Sequence, residues 1–171
     1  MLSSCQRFYR IIQWQMFTIF VAMIALPYVT GHLDYKPELA LSNMTVSKTR
    51  YFPTENLITE HDEADLHFNI QFNVSNTFKW TTKEVYLGLI AVWNDSVGLQ
   101  EQTVWDKTIY YTDNESFFFS EKQQSKYPLR SYEGVKLPGC EIHFRFVLYE
   151  VGFGGRFRTT TYEMEETVTV K

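Results

Sequence analysis

Asp65–Ser75 reads DLHFNIQFNVS, and the period of this stretch decides the class of the fold. Leu66, Phe68, Ile70, Phe72 and Val74 alternate with His67, Asn69, Gln71, Asn73 and Ser75. Successive side chains of a strand point to opposite faces, so a period of two marks a strand with one dry face and one wet face. The reading predicts that the five apolar side chains point inside and that Asn73 and His67 face water. His67 has no second His at a ligand spacing, so it is read as a solvated residue.

The same logic extends outward in both directions. Cys140–Val151 (CEIHFRFVLYEV) alternates again, with Ile142, Phe144, Phe146 and Leu148 opposed to Glu141, His143, Arg145 and Val147. Glu84–Trp93 (EVYLGLIAVW) is instead almost continuously apolar. Its length and its Val, Tyr, Ile and Trp content predict a central strand covered on both faces. Asn94-Asp95-Ser96 is a turn signal, Thr103–Tyr111 a further strand, and Asp113-Asn114 another turn. Gly152–Gly155 turns the chain into the last strands, Gly155–Tyr162 and Thr167–Val170. Upstream, Leu39–Lys48 is a first strand bearing Leu41, Met44 and Val46, whereas Tyr51–Ala64, with Glu55, Glu60, Asp62 and Glu63, reads as an irregular solvated loop. After residue 31 no helical period of comparable strength occurs. About seven strands separated by turn signals imply an all-β fold, an antiparallel β-sandwich, because each alternating face needs a second sheet to cover it. Fourteen Phe, eleven Tyr and only eight Gly agree with strands. The formal net charge of −4, with no basic stripe to neutralise phosphates, gives no case for a nucleic-acid partner.

Residues 11–30, IIQWQMFTIFVAMIALPYVT, carry no charge. Twenty residues of helix match the hydrocarbon thickness of a bilayer. Ile11, Ile12, Phe17, Ile19, Phe20, Val21, Ile24, Leu26 and Val29 favour insertion by about 3–5 kcal/mol on the translocon scale. Arg7 and Arg10 precede the segment, while Asp34, Lys36 and Glu38 follow it. The positive-inside rule then assigns residues 1–10 to a cytosolic tail, 11–30 to a transmembrane anchor and 31–171 to a lumenal β-sandwich domain that begins with a polar linker, residues 31–38. A signal peptide cleaved before His32 is the competing reading, and it delivers the sandwich to the same compartment. Asn-X-Ser/Thr acceptor sites agree with that compartment: they occur at Asn43, Asn73, Asn94 and Asn114, all after the hydrophobic segment. Such sites mark surface positions, and about half are expected to carry glycans.

No catalytic constellation emerges. There is no Gly-rich phosphate loop and no G-x-S-x-G elbow, and His32, His61, His67 and His143 match no metal-motif spacing. The two cysteines, Cys5 and Cys140, flank the hydrophobic segment, so an anchored chain cannot pair them. Cys140 reads as a buried free thiol at a strand. Solvation accounts for Glu60, Asp62, Glu63 and Asp65. The reading assigns no catalytic residue, no metal and no cofactor. An enzyme of unfamiliar type and a glycosylated β-sandwich binding module, secreted or at the cell surface, are the other two classes kept open.

Four pieces of sequence carry a family resemblance. Phe78-Lys79-Trp80-Thr81-Thr82-Lys83-Glu84-Val85-Tyr86-Leu87, then Gln102-Thr103-Val104-Trp105-Asp106-Lys107, then Asp113-Asn114 with Lys126-Tyr127, follow one another as in subunit 3 of the signal peptidase complex. The chain resembles that accessory glycoprotein family of the endoplasmic reticulum over nearly its whole length, most closely between residues 65 and 127. It departs after Tyr127, where PLRSYEGVKLPGCEIHF keeps only Glu133-Gly134 of the expected acidic-glycine turn, so it is similar to a divergent member. The resemblance implies a single-pass type II protein of the endoplasmic reticulum membrane whose lumenal domain supports the catalytic subunit without performing the cleavage. It implies the catalytic and other accessory subunits of that complex as partners, and the membrane through residues 11–30. Trp80, Lys83, Trp105, Asp106 and Lys107, which carry the likeness, are then the candidate partner contacts, although Trp80 and Trp105 also suit the core. The Phe117–Phe119 run is expected in the core.

Overall fold

A computed structural model describes residues 4–31, 36–52, 61–112, 117–131, 136–153 and 155–170. The chain divides into two compact units, residues 1–35 and 36–171. The first holds helix α1, Ser4–Gly31, in which Thr18 Oγ1 donates to the Trp14 carbonyl at 2.8 Å and Trp14 meets Phe17 edge to face. Helix α1 includes residues 11–30, yet among the described residues no helix is long and apolar enough to cross a membrane.

The second unit consists of strands β1 Glu38–Phe52, β2 His61–Asn73, β3 Thr82–Asn94, β4 Leu99–Tyr110, β5 Phe118–Gln124, β6 Leu129–Arg130, β7 Glu141–Gly152 and β8 Phe157–Thr169. They form two antiparallel sheets. In sheet A, β2 lies between β1 on one side and β5 and β6 on the other; sheet B has the order β4-β3-β7-β8. Alternation does what it predicted. Leu66, Phe68, Ile70, Phe72 and Val74 from sheet A meet Val85, Leu87, Leu89, Ala91, Ile142, Phe144, Phe146 and Leu148 from sheet B in one buried cluster. Each fully buried Leu, Ile or Phe contributes about 1.5–3 kcal/mol of transfer free energy. The expected turn after Asn94 is held by Asp95, whose Oδ1 accepts the backbone N–H groups of Val97 at 2.8 Å and Gly98 at 3.1 Å; Gly98 takes φ 139°, which a side chain would oppose.

Two expectations are corrected. Tyr51–Ala64 is not a solvated loop: Tyr51 and Phe52 end β1, His61–Ala64 begin β2, and only residues 53–60, with Glu55 and Glu60, lie outside the described residues. Asp62 and Glu63 are 6% and 7% exposed. A buried carboxylate is tolerable only when its charge is matched. Glu63 Oε1 accepts from Arg130 Nε at 2.6 Å, Asp62 Oδ2 accepts the Leu137 N–H at 3.0 Å, and the Asp62 N–H donates to Ser131 Oγ at 2.8 Å. The second correction concerns β3. It is central, but only Val85, Leu87, Leu89, Ala91 and Trp93 face the core, while Tyr86, Ile90 and Val92 on its other face are half-buried.

Candidate functional site

The outer faces of the two sheets differ in chemistry. On sheet A, β2 turns Asp65, His67, Asn69, Gln71 and Asn73 outward. Their neighbours in register are Lys48, Thr45, Ser42, Ala40 and Glu38 on β1, and Gln124, Lys122, Ser120 and the exposed Phe118 on β5. Arg50 pairs with Asp65 at 2.5 Å. This is a hydrated face.

On sheet B the outward residues of β3 are Tyr86, Gly88, Ile90 and Val92, and opposite them on β7 stand Tyr149, Val147, Arg145 and His143. The result is an apolar strip across the two central strands. Tyr86 and Tyr149 pack with centroids 5.7 Å apart. Gly88 allows this packing, because a Cβ there would meet Cε1 of Tyr86 at 3.2 Å. The Tyr86 ring lies over the glycine, and Val147 beside it is buried although it lies outside the core cluster. Burial, then Asp106, Tyr127 and Tyr149, push the Tyr86 phenol above its ordinary value, so it remains a neutral donor. Threonines border the strip: Thr108 on β4, and Thr159 and Thr161 on β8. Arg145 pairs with Glu101 through one terminal nitrogen, while its Nε–H is buried without an acceptor among the described residues. A desolvated donor of this kind costs about 1–3 kcal/mol until something accepts from it.

The five resemblance-based candidates do not form one patch. Trp105 is 2% exposed and tilts against Phe72 and Phe119 in the core, which removes it from any contact surface. Asp106 accepts Lys126 Nζ at 3.1 Å. The Lys107 ammonium lies 3.9 Å from the Phe119 ring centroid, on the opposite side of β4 from Asp106. Both are engaged within the fold. Lys83 lies 3.9 Å from Glu84 at the start of β3. Trp80, a candidate contact that also suited the core, is 58% exposed on the preceding turn. Phe117 and Phe119 pack against the core as expected, whereas Phe118 points outward.

The acceptor asparagines also separate. Asn43 is exposed with φ 54° on β1, and Asn94 is exposed at the end of β3. Asn73 is half-buried, its amide nitrogen donating to Glu38 at 3.2 Å and its oxygen accepting from Ser75 Oγ at 2.7 Å. Asn114 lies outside the described residues. Cys140 is a free thiol, half-buried just before β7, and burial raises its ionisation. Among the described residues no three His, Cys, Asp or Glu side chains come together to hold a metal.

Sequence reasoning missed Tyr86, Arg145, Val147 and Tyr149 as a surface. A signal was present: in the wet register of β7, Val147 and Tyr149 are apolar or aromatic, and in β3 the apolar run fills both registers.

No curated protein matches the chain. An X-ray structure of Northeast Structural Genomics Consortium target SoR45 aligns with 76% of this chain and 86% of its own, at 11% identity and a TM-score of 0.29, a level that carries no argument. The family model SPC22, described as signal peptidase subunit, matches residues 1–170. With a match across all but the last residue, the chain belongs to the signal peptidase subunit family.

Proposed function

We propose that this chain is a divergent subunit 3 of the signal peptidase complex of the endoplasmic reticulum, a non-catalytic partner that supports the catalytic subunit in removing signal peptides from nascent secretory proteins. The family match over residues 1–170 carries this reading. Twenty uncharged residues behind Arg7 and Arg10 support an anchor at 11–30 with residues 1–10 cytosolic and the sandwich lumenal. The catalytic subunit docks on the outer face of sheet B. A half-buried apolar strip with an unmatched arginine donor suits a folded protein surface, and the polar outer face of sheet A suits water and glycans. By binding the folded catalytic subunit, the domain stabilises it without touching substrate.

Affinity purification of the full chain in mild detergent, with identification of the co-purifying chains, tests the assignment. The catalytic subunit is expected among them, and depletion of the chain is expected to make preproteins with uncleaved signals accumulate. A chain that purifies alone, with a mature N-terminus at His32, would instead support a secreted binding module. If the purified chain alone cleaves a presecretory peptide, and a single Ser or Lys change stops cleavage while folding is intact, the non-catalytic role is wrong.

A further inference from the structure

One end of the sandwich concentrates exposed aromatic side chains. Trp80 sits two residues before β3, Phe153 directly after β7, and Phe157 opens β8; they are 58%, 65% and 72% exposed. The backbone brings them to one end of sheet B. The Phe153 N–H donates to the Thr81 carbonyl at 3.0 Å, Gly152 pairs with Thr82, and Phe157 pairs with Val151. Tyr110 and Tyr111, at the end of the neighbouring strand β4, extend the row and are also exposed.

Hydrogen bonds brace the described residues of the turns that present these rings. Thr82 holds the turn before β3: its N–H donates to the Lys79 carbonyl at 2.9 Å, and its hydroxyl donates to the Thr77 carbonyl at 3.3 Å. Phe78 stacks on Phe117 with centroids 4.3 Å apart, so it faces inward and leaves Trp80 outside. In the β7–β8 hairpin the Gly152 N–H donates to the Arg156 carbonyl at 2.9 Å, and Gly155 takes φ 73°. Among the described residues no aromatic or cation contact accounts for these three exposed rings.

Cations lie beside these rings. Residues 79–84 and 150–158 carry Lys79, Lys83, Arg156 and Arg158 against Glu84 and Glu150, with Glu38 at the same end. Glu150 interacts with Lys79, Arg156 and Arg158. The chain also enters the sandwich at the aromatic end: β1 begins at Glu38, which pairs with Asn73 just before the turn that bears Trp80. Six residues, 32–37, separate this strand from α1.

We infer that this end, built on Trp80, Phe153 and Phe157 with Lys79, Lys83, Arg156 and Arg158, is a membrane-interface contact that settles into the headgroup layer of an anionic bilayer. Trp and Phe are stabilised at the boundary between headgroups and acyl chains, and cations beside them are attracted to anionic headgroups. A fluid interface accepts each separately projecting ring independently, without a matching pocket for each. The inference rests on the anchored reading, which keeps a lipid surface within reach of this end. It assigns Trp80 and Lys83 to lipid rather than to the partner subunit.

The test uses the full chain carrying Trp14→Phe, reconstituted into phosphatidylcholine–phosphatidylserine vesicles with or without brominated acyl chains. Trp93 and Trp105 are buried, so Trp80 then supplies the quenchable emission. Bromine is expected to quench it, Trp80→Phe to abolish the quenching, and Phe153→Ser with Phe157→Ser to weaken it at an unchanged thermal midpoint. Replacing phosphatidylserine by phosphatidylcholine is expected to reduce it. Equal emission in brominated and plain vesicles, from a chain that resists carbonate extraction, overturns the contact and returns Trp80 to a protein partner. Release of the chain by carbonate overturns the anchor instead; quenching that persists on added vesicles then keeps the contact without it, and its absence rejects both.

Discussion

Strands β2 and β3 lie at the centres of their sheets and send equally apolar rows into one core, yet their outward rows are opposites. β2 shows His67, Asn69, Gln71 and Asn73; β3 shows Tyr86, Gly88, Ile90 and Val92. Folding explains the inward rows of both, since burying apolar area is what brings the sheets together. It does not explain the outward row of β3. Half-buried Ile90 and Val92 lie outside the core cluster, gain less from folding than the inward row, and raise the risk of nonspecific association. In the proposed reading, one sheet of this sandwich finishes its burial within the chain and the other finishes it in a complex.

The largest effect should come from the row the two strands share. Phe68→Asp places an uncompensated charge in the core and is expected to cost on the order of 4–5 kcal/mol or more, enough to leave no folded domain by circular dichroism. His67→Asp, one residue away on the wet face, should shift the thermal midpoint only slightly. Equal losses would break the register on which the comparison rests.

The next effect distinguishes the outward rows. Ile90→Ser with Tyr149→Ser is expected to cost the fold about 1–2 kcal/mol but to remove the catalytic subunit from the affinity eluate, while Gln71→Ser leaves it there. A steric version sharpens the contrast. Thr159→Asn creates a glycan acceptor with Thr161 on the outer face of sheet B, and its occupancy is read as a gel shift. An occupied site there should block co-purification; if it does not, the partner docks elsewhere.

A smaller effect concerns the native acceptor sites. Asn43 and Asn94 are exposed, whereas the Asn73 amide is engaged by Glu38 and Ser75. Asn43→Gln and Asn94→Gln are therefore expected to increase gel mobility by one glycan step each, and Asn73→Gln to leave it unchanged. Neither of the first two should disturb assembly.

Much of this contrast was legible in the residues. Regular alternation placed the inner rows of β2 and β7 correctly, because period two is a local property. The acidic start of β2 was not legible. Asp62 and Glu63 read as solvated until Ser131, Arg130 and Leu137 arrive from 69, 67 and 75 residues away. Nor could periodicity tell the two faces of β3 apart: its inward row of Val85, Leu87, Leu89, Ala91 and Trp93 and its outward Tyr86, Ile90 and Val92 are alike in apolar character. Trp80 and Trp105 illustrate the same limit, since the residue type is alike and only tertiary position leaves one exposed and the other buried.

The smallest predicted effect probes how dry the outer strip of sheet B is. The Tyr86 phenol is pushed above its ordinary value first by burial and then by Asp106, Tyr127 and Tyr149. An acid whose folded value is raised keeps its proton longer when folded than when unfolded. Its contribution to stability is therefore fully present below about pH 10 and is lost as pH rises from the ordinary tyrosine value through the folded one. In a spectrophotometric titration one of the chain's tyrosines should ionise late, and Tyr86→Phe should remove that step while moderating the alkaline fall in the thermal midpoint. Asp106→Asn should move the step down by less than the full shift, because burial is the larger cause. A docked partner would dry the strip further and delay the step again; sheet A has no tyrosine in its outward β2 row to report the same change. If Tyr86 ionises at the ordinary value, both free and in the complex, water reaches the strip in both states and the dry docking face on sheet B is wrong.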